Sequence, residues 1–210
     1  MSVGGTRVAV FLDYQNVYMG ARRCFGGATS HVDGQVHPRR LGLLLCERGR
    51  AHDPTRTLQS VNIYRGDPSP KRSPSGASAA QRQVAAWRSL ALVNVFTRPL
   101  KYYPDGSSPA GESLYLAREK GIDVLLALGM VVGAMGDEYD VAILFSADTD
   151  LLPAVEAVRA VGKRVEVAGW RPDHGYGSSL TSPGMWCHWL DRYAYEGHVH
   201  DPTNYRFPQA

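Results

Sequence analysis

The chain has 210 residues, which suits one α/β domain with a substantial core and is too short for two full domains. Its 23 basic and 20 acidic residues give a formal net charge of +3, so overall charge does not mark it as a nucleic-acid-binding protein. Its three scattered cysteines indicate neither a disulfide framework nor a zinc site, and no apolar run could cross a membrane, so we expect an unexported protein of the reducing cytoplasm.

The first third of the chain alternates between strand and helix patterns. Residues 7–13 form a β-branched and aromatic run that ends in Asp13, as in a strand buried on both faces. Asn16 occupies an expected N-cap position, so a helix should follow this strand within three residues. A further helix is expected before the second strand, at residues 58–67. The Pro- and Ser-rich residues 68–78 predict a mobile surface loop.

The alternation continues to residue 170. The predicted elements are a helix at 79–90, a strand at 91–103, a helix at 121–135, a strand at 139–148, a helix at 149–162 and a strand at 163–170. The helix at 121–135 has a stripe that is expected to face the core, formed by Val124, Leu128, Val131 and Met135. Beyond it we expect a short helix from about Met185 to Tyr193 and an irregular tail at 196–210. This pattern favours a single α/β domain over 1–210, with a mostly parallel central sheet.

Four aspartates are expected to meet at one edge of this sheet. Asp13 ends the first strand, Asp148 and Asp150 end the strongest strand, and Asp123 lies in the first turn of the preceding helix. The carboxyl ends of parallel strands share an edge, and clustered carboxylates repel one another unless a cation lies among them. Oxygen ligands without nearby His or Cys favour Mg²⁺ or Mn²⁺. Such a site suits hydrolysis of a phosphodiester by metal-activated water.

Each of these residues also has a purely structural interpretation. Asp148, Ser146 or Thr149 could cap the helix that follows the strand, because short polar side chains satisfy the free amides of a first turn. Asp123 could do no more than favour the positive end of its helix. Asn16 could be a plain N-cap, part of the site, or both. The coincidence of several acids, rather than any one of them, indicates a site.

Basic side chains are expected around this acidic edge, where they would hold a polyanion. The candidates are Arg22 and Arg23 on the first helix, Arg65 after the second strand, Lys71 and Arg72 in the loop, and Arg171 after the last strand. Any one of them fits an ordinary solvated surface equally well. Only their clustering would therefore be informative.

The four aspartates lie in three segments of the chain. In chain order these segments are VAVFLDYQNVY, REKGIDVLLALGMV and DVAILFSADTDLLPAVEAVRAVGKRVEVAGW. Together they resemble the hallmark motifs of NYN domains of the LabA-like type, a branch of the PIN-like nucleases, over roughly residues 7–195. The resemblance implies a PIN-like three-layer α/β/α sandwich and a metal-dependent ribonuclease that leaves 5′-phosphate and 3′-hydroxyl ends. It also implies RNA as the substrate and raises a homodimer as an expectation.

The resemblance implies a role for each matching residue. Asp13 matches the first acidic metal ligand, and Asn16 matches the polar residue that orients metal or water. Asp123 matches the acid that follows the Lys120 and Gly121 pair.

The last motif of the resemblance is a Ser-Gly-Asp-Ser-Asp sequence. Asp148 and Asp150 match its two acids, while Ser146 and Thr149 match its serines and are expected beside the substrate. Ala147 replaces the usual glycine, a departure that removes no ligand. Asp191 stands where many relatives carry a further Asp, although the residues around it match poorly.

Two other functions are compatible with an Asp-x-Asp pair. A haloacid-dehalogenase-like phosphatase would use the first Asp as a nucleophile, but it would want that residue near the amino end and Thr or Val where this chain has Leu152. A noncatalytic PIN-like module would bind RNA or a protein without cutting. The presence of every acid of the motif favours the nuclease over both.

Overall fold

The structure, a computed structural model, describes residues 4–26, 30–107, 113–175, 177, 179–180 and 184–207. The strands are β1 (Arg7–Asp13), β2 (Thr57–Asp67), β3 (Val93–Pro99), β4 (Lys101–Ser107), β5 (Ser113–Arg118), β6 (Val141–Phe145), β7 (Arg164–Trp170) and β8 (Cys187–Leu190). The helices are α1 (Tyr14–Phe25), α2 (Pro38–Arg50), α3 (Pro74–Arg88), α4 (Ile122–Met135), α5 (Leu152–Ala160) and α6 (Arg192–Ala194). A 3₁₀ turn at Thr149–Leu151 precedes α5, and a π-helical turn at Tyr195–Val199 follows α6.

Six parallel strands form the central sheet in the order β3-β2-β1-β6-β7-β8. The two central strands, β1 and β6, are buried along almost their whole length because helices cover both faces. Strands β4 and β5 form a separate antiparallel hairpin after β3. The predicted fold, a mostly parallel sheet between two helical layers, is confirmed.

Alternate residues of β1 enter the two halves of the core. Val8, Val10 and Leu12 pack with apolar residues of α1, α2 and α3. Ala9 and Phe11 pack with apolar residues of α4 and α5 on the opposite face. This two-sided burial fixes the register of β1 and therefore the position of the carboxylate at its end. No helix among the described residues is long and apolar enough to span a membrane.

The predicted core stripe of α4 is wrong. Val124, Leu128 and Met135 are 60%, 56% and 71% exposed, whereas the buried face is formed by Ile122, Leu126, Met130, Gly133 and Ala134. The helix is apolar almost all the way round, so periodicity alone does not distinguish its two faces. The stripe selected from the sequence lies on the outer side.

The segment after β7 also differs from its prediction. A short helix is expected near Met185–Tyr193, but Cys187–Leu190 is strand β8, which pairs in parallel with β7, and α6 begins only at Arg192. The physical reason is that alternate side chains of β8 are buried, a period of two that is typical of a strand. A strand at the edge of a sheet needs only one buried face.

The tail and the predicted loop are more ordered than expected. Val199 is fully buried, His200 forms a β-bridge with Val36, and Asp201 is 2% exposed. Helix α3 begins at Pro74, so residues 74–78 of the expected loop are helical. Proline at the first position of a helix lacks an amide proton that would be unpaired there anyway.

A buried ion pair joins the start of β2 to β7 and β8. Arg56 donates two hydrogen bonds to Glu166, of 2.8 and 2.5 Å, and His188 Nε2 lies 2.8 Å from the same carboxylate. All three side chains are less than a tenth exposed. The pair of Arg56 and Glu166 connects the residue before β2 to β7, two strands that are not neighbours in the sheet, whereas His188 comes from β8, which pairs with β7.

Candidate functional site

Asp13 stands at the carboxyl end of the central strand β1 and begins α1. Its Oδ1 accepts the backbone N–H of Asn16 at 3.1 Å, as in an N-cap, and its Oδ2 accepts hydrogen bonds from the Asn16 side-chain amide and, at 3.0 Å, from Ser146 Oγ. Asp13 is only 2% exposed. Burial raises the pKa of its carboxyl group, while these hydrogen bonds oppose the rise.

Asp148 and Asp150 lie three and five residues beyond the end of the neighbouring strand β6, with Asp148 as the N-cap of the 3₁₀ turn and Asp150 within it. Leu12 of β1 pairs with Phe145 of β6, so the residues that follow each strand emerge side by side. Ser146 Oγ accepts the backbone N–H of Asp148 at 3.1 Å while donating to Asp13, so one hydroxyl connects both strand ends. Asp148 in turn accepts the backbone N–H of Asp150 at 2.9 Å and caps this turn.

Asp123 approaches the same edge from the first turn of α4. Burial raises the pKa of its carboxyl group, and the negative charges of Asp13, Asp148 and Asp150 raise it further. Gly121 makes this placement possible, because it begins the helix with φ = 76°, a left-handed conformation that favours glycine. The four predicted aspartates are therefore close enough to interact electrostatically.

Glu119 is a fifth acid at this edge, and the sequence reasoning missed it. Its carboxylate accepts the backbone N–H of Gly66 at 2.6 Å. Burial raises the pKa of Glu119, as do the charges of Asp13 and Asp123. The only signal in the sequence is its position two residues before Gly121, in a connection without periodicity.

The donor set of this acid cluster, defined as Asp13, Glu119, Asp123, Asp148 and Asp150, fits a hard divalent cation. All its donors are carboxylate oxygens, and their mutual repulsion would be relieved by a cation. No group of three acidic, His or Cys side chains within the described ranges is close enough to hold a metal by itself. Mg²⁺ commonly takes one or two carboxylates and completes its shell with water and substrate phosphate, so the two observations are compatible.

Two of the predicted basic residues lie beside the acid cluster. Arg65, at the end of β2, lines a cavity together with Glu119. Arg23 lines a second cavity, of about 290 Å³, together with Asn16 and Ser146. The two cavities share no lining residue, and each contains one of the predicted arginines; Arg206 also lines the first.

The other basic candidates have different surroundings. Arg22 donates to the hydroxyl group of Tyr18 at 2.9 Å, and the guanidinium of Arg72 lies 3.6 Å from the ring centre of Tyr115 on the hairpin. Lys71 and Arg171 are exposed. None of these four lines either of the two cavities.

Three polar candidates have mainly local contacts. The predicted N-cap role of Asn16 is wrong, because Asp13 is the N-cap of α1; Asn16 lies in the first turn and donates both its backbone and side-chain N–H groups to Asp13. Thr149 is exposed at the first position of the 3₁₀ turn. Asp191 accepts the N–H of Ala194 at 2.9 Å and caps α6.

Comparisons with known proteins agree with the fold described above. A crystal structure of a protein of unknown function from Vibrio parahaemolyticus is similar, with a TM-score of 0.52 and 20% sequence identity, over 80% of this chain and 83% of that chain. A search of curated proteins finds no significant match. A family model, described as NYN domain, matches residues 7–182. The chain therefore belongs to the NYN domain family.

Proposed function

We propose that the protein is a metal-dependent ribonuclease that hydrolyses phosphodiester bonds of RNA at the acid cluster. NYN domains are nuclease-type domains of the PIN-like superfamily, which supports the general class. The observation that carries the proposal is the convergence of Asp13, Asp123 and Asp148 from three separate elements: burial raises the pKa of Asp13 and of Asp123, and the negative charge of Asp148 raises both further. Acids that repel one another at a strand edge are characteristic of cation sites.

In this proposal the chain's own residues position the reactants. Asn16 and Ser146 hold the Asp13 carboxylate in one orientation, which leaves its remaining lone pairs for a cation. Asp13, Asp123, Asp148 and Asp150 hold a divalent cation, Mg²⁺ or Mn²⁺. When bound, the cation supplies positive charge at the scissile phosphate and lowers the pKa of water.

RNA is held by the arginines that lie beside the cluster. Arg23 and Arg65 line two different cavities, one with Asn16 and Ser146 and the other with Glu119, so RNA bound at the cluster would lie near both guanidinium groups. Guanidinium groups suit phosphate oxygens because they offer paired donors. Cleavage that leaves a 5′-phosphate and a 3′-hydroxyl is part of the proposal.

The test is cleavage of a labelled single-stranded RNA in the presence of Mn²⁺. We expect cutting by the native chain, no cutting with EDTA, and a loss of at least about 100-fold in Asp148→Asn, which keeps the size of the side chain but removes its charge. Glu156→Gln is the matched control, since it neutralises an exposed carboxylate on α5.

Two outcomes would contradict the ribonuclease. Tight RNA binding without cutting at any Mg²⁺ or Mn²⁺ concentration would favour the noncatalytic module. Cutting that persists in Asp148→Asn would remove the acid cluster from the reaction. Analysis of the product ends would check the proposed cleavage chemistry.

Four further expectations stay predictions. They are the LabA-like subtype, the single domain over residues 1–210, the cytoplasmic location and the homodimer. The molar mass of the protein in solution would check the homodimer.

A further inference from the structure

A cavity of about 390 Å³ opens beside the acid cluster, a size within the range of small-ligand sites. It lies between α1, the end of β2, α3 and the carboxy-terminal segment, and Glu119 belongs both to its wall and to the acid cluster. A group bound in this cavity would therefore lie next to the proposed reaction centre.

The carboxy-terminal segment forms one wall and is held in place by named contacts. Arg82 of α3 donates to the carbonyl oxygens of Tyr205 and Arg206 at 2.7 and 2.8 Å. The hydroxyl group of Tyr205 donates to Asp201 at 2.8 Å. This wall lies beyond residue 182, where the match to the family model ends.

Gln35 supplies an unpaired acceptor in the wall of this cavity. The side chain is only 9% exposed, and its Nε2 donates to the carbonyl oxygen of His31 at 3.1 Å. Its Oε1 is buried and has no hydrogen-bond partner among the described residues. Buried polar atoms are normally paired, so this oxygen has the capacity to accept a hydrogen bond.

Aromatic rings lie beside this acceptor. Tyr14 and Tyr18 both line the cavity, with ring centres 6.2 Å apart and planes 23° apart. The hydroxyl group of Tyr14 accepts a hydrogen bond from Gln83 Nε2 at 3.2 Å. Aromatic side chains next to amide groups are the usual surroundings of an unstacked nucleobase.

The wall of the cavity carries charges of both signs. The guanidinium of Arg65 lies 5.3 Å from the ring centre of Tyr14 and donates to Gln83 Oε1 at 2.5 Å. Glu119 places a carboxylate and Arg206 a second guanidinium in the same wall, so it is not a purely cationic site. A base, which carries both N–H donors and carbonyl or ring acceptors, suits both charges.

We propose that this cavity receives one unstacked base of a single-stranded RNA, from a nucleotide next to the scissile phosphate, with Gln35 Oε1 accepting an N–H of the base. The inference rests on the proposed function for the position of the phosphate. It deepens that function by predicting that the enzyme requires an unstacked base at this position. Double-stranded RNA cannot supply such a base, because its bases are paired and stacked.

The test measures binding rather than cutting, so it is independent of catalysis. The protein carries Asp148→Asn, and fluorescence anisotropy gives the Kd for a labelled single-stranded RNA hexamer and for the same hexamer with all bases removed. We expect the baseless hexamer to bind at least about tenfold more weakly, because each stacked base contributes severalfold to affinity. The ratio of interest is the Kd of the baseless hexamer divided by the Kd of the normal hexamer. Tyr18→Ala and Gln35→Leu should shrink this ratio towards one.

Tyr193→Ala is the matched control, because Tyr193 is 75% exposed and does not line the cavity. It should leave the ratio unchanged, and thermal melting of all variants checks that they fold. A ratio that stays the same in Tyr18→Ala and Gln35→Leu overturns the proposal. Equal weakening of both hexamers also overturns it, since the cavity would then bind phosphate.

Cutting assays separate this inference from the ribonuclease itself. If the native chain cuts RNA but the cavity variants leave the binding ratio unchanged, the base site is wrong and the ribonuclease stands. If no RNA is cut while the ratio behaves as expected, the base site stands and the ribonuclease fails.

Discussion

Ser146 connects the two most important acids of the site through a single hydroxyl group. It donates to Asp13 and accepts the backbone N–H of Asp148, and it is only 1% exposed. The sequence placed Ser146 beside the substrate because it begins the acidic motif. Its burial and these two hydrogen bonds favour a positioning role, which depends on the register between β1 and β6.

Ser146→Ala should lower the activity of the proposed ribonuclease by about 10- to 100-fold, as is typical when a group that orients a metal ligand is lost. The physical reason is that Asp13 loses one of the donors that fix its carboxylate. The measurement is the rate of RNA cleavage as a function of Mn²⁺ concentration, and the apparent affinity for Mn²⁺ should fall as well.

Thr149→Ala is the control for this prediction, because Thr149 is exposed in the adjacent turn. It should change the rate by no more than a few-fold. An unchanged Mn²⁺ dependence in Ser146→Ala would show that the hydroxyl group does not position Asp13.

At the scale of elements, helix α4 shows the limit of periodicity as a predictor. Its existence and its first-turn Asp123 are predictable, because residues 122–135 are strongly apolar and follow Gly121. Its orientation is not, because apolar residues occur on every face and only the neighbouring sheet determines which face is buried. Leu126 is fully buried and Leu128 is 56% exposed, although both are leucines two residues apart.

These two leucines give a matched pair of substitutions. Leu126→Ala should lower the free energy of unfolding by about 2 to 5 kcal/mol, because it leaves a cavity against β1 and β6. Leu128→Ala should change it by no more than about 0.5 kcal/mol. Urea denaturation of both variants checks the prediction, and equal losses would contradict the orientation of α4.

At the scale of the whole molecule, the buried Arg56–Glu166–His188 group joins strands that are distant in the sequence. Burial alone would raise the pKa of Glu166, but the hydrogen bonds from Arg56 and His188 outweigh it and lower the pKa to about 2. A carboxyl group with a lowered pKa stabilises the fold above its unfolded pKa, near 4.5, and loses that contribution as the pH falls towards 2.

Glu166→Gln should therefore lower the free energy of unfolding by about 3 to 5 kcal/mol at pH 7, because it leaves Arg56 buried and unpaired. The difference between the native chain and this variant should shrink as the pH falls from about 4.5 towards 2. Comparison with the variant is necessary because Asp13 and Asp123 have raised pKa values, so their protonation acts in the opposite direction.

Glu47→Gln serves as the control, since it breaks an exposed pair with Arg50 and should cost no more than about 1 kcal/mol. Denaturation at several pH values measures each difference. A cost of Glu166→Gln that does not vary with pH would contradict the lowered pKa.

The sequence by itself determined the parallel α/β fold and the four aspartates of the site. Both follow from local rules: buried strands are continuous apolar runs, and residues that end parallel strands share an edge. Only the tertiary structure decided the buried face of α4, the strand at Cys187–Leu190, the fifth acid Glu119 and the cavity walled by residues near Tyr205. These features depend on contacts between residues far apart in the chain, and such contacts leave no periodic pattern in the sequence.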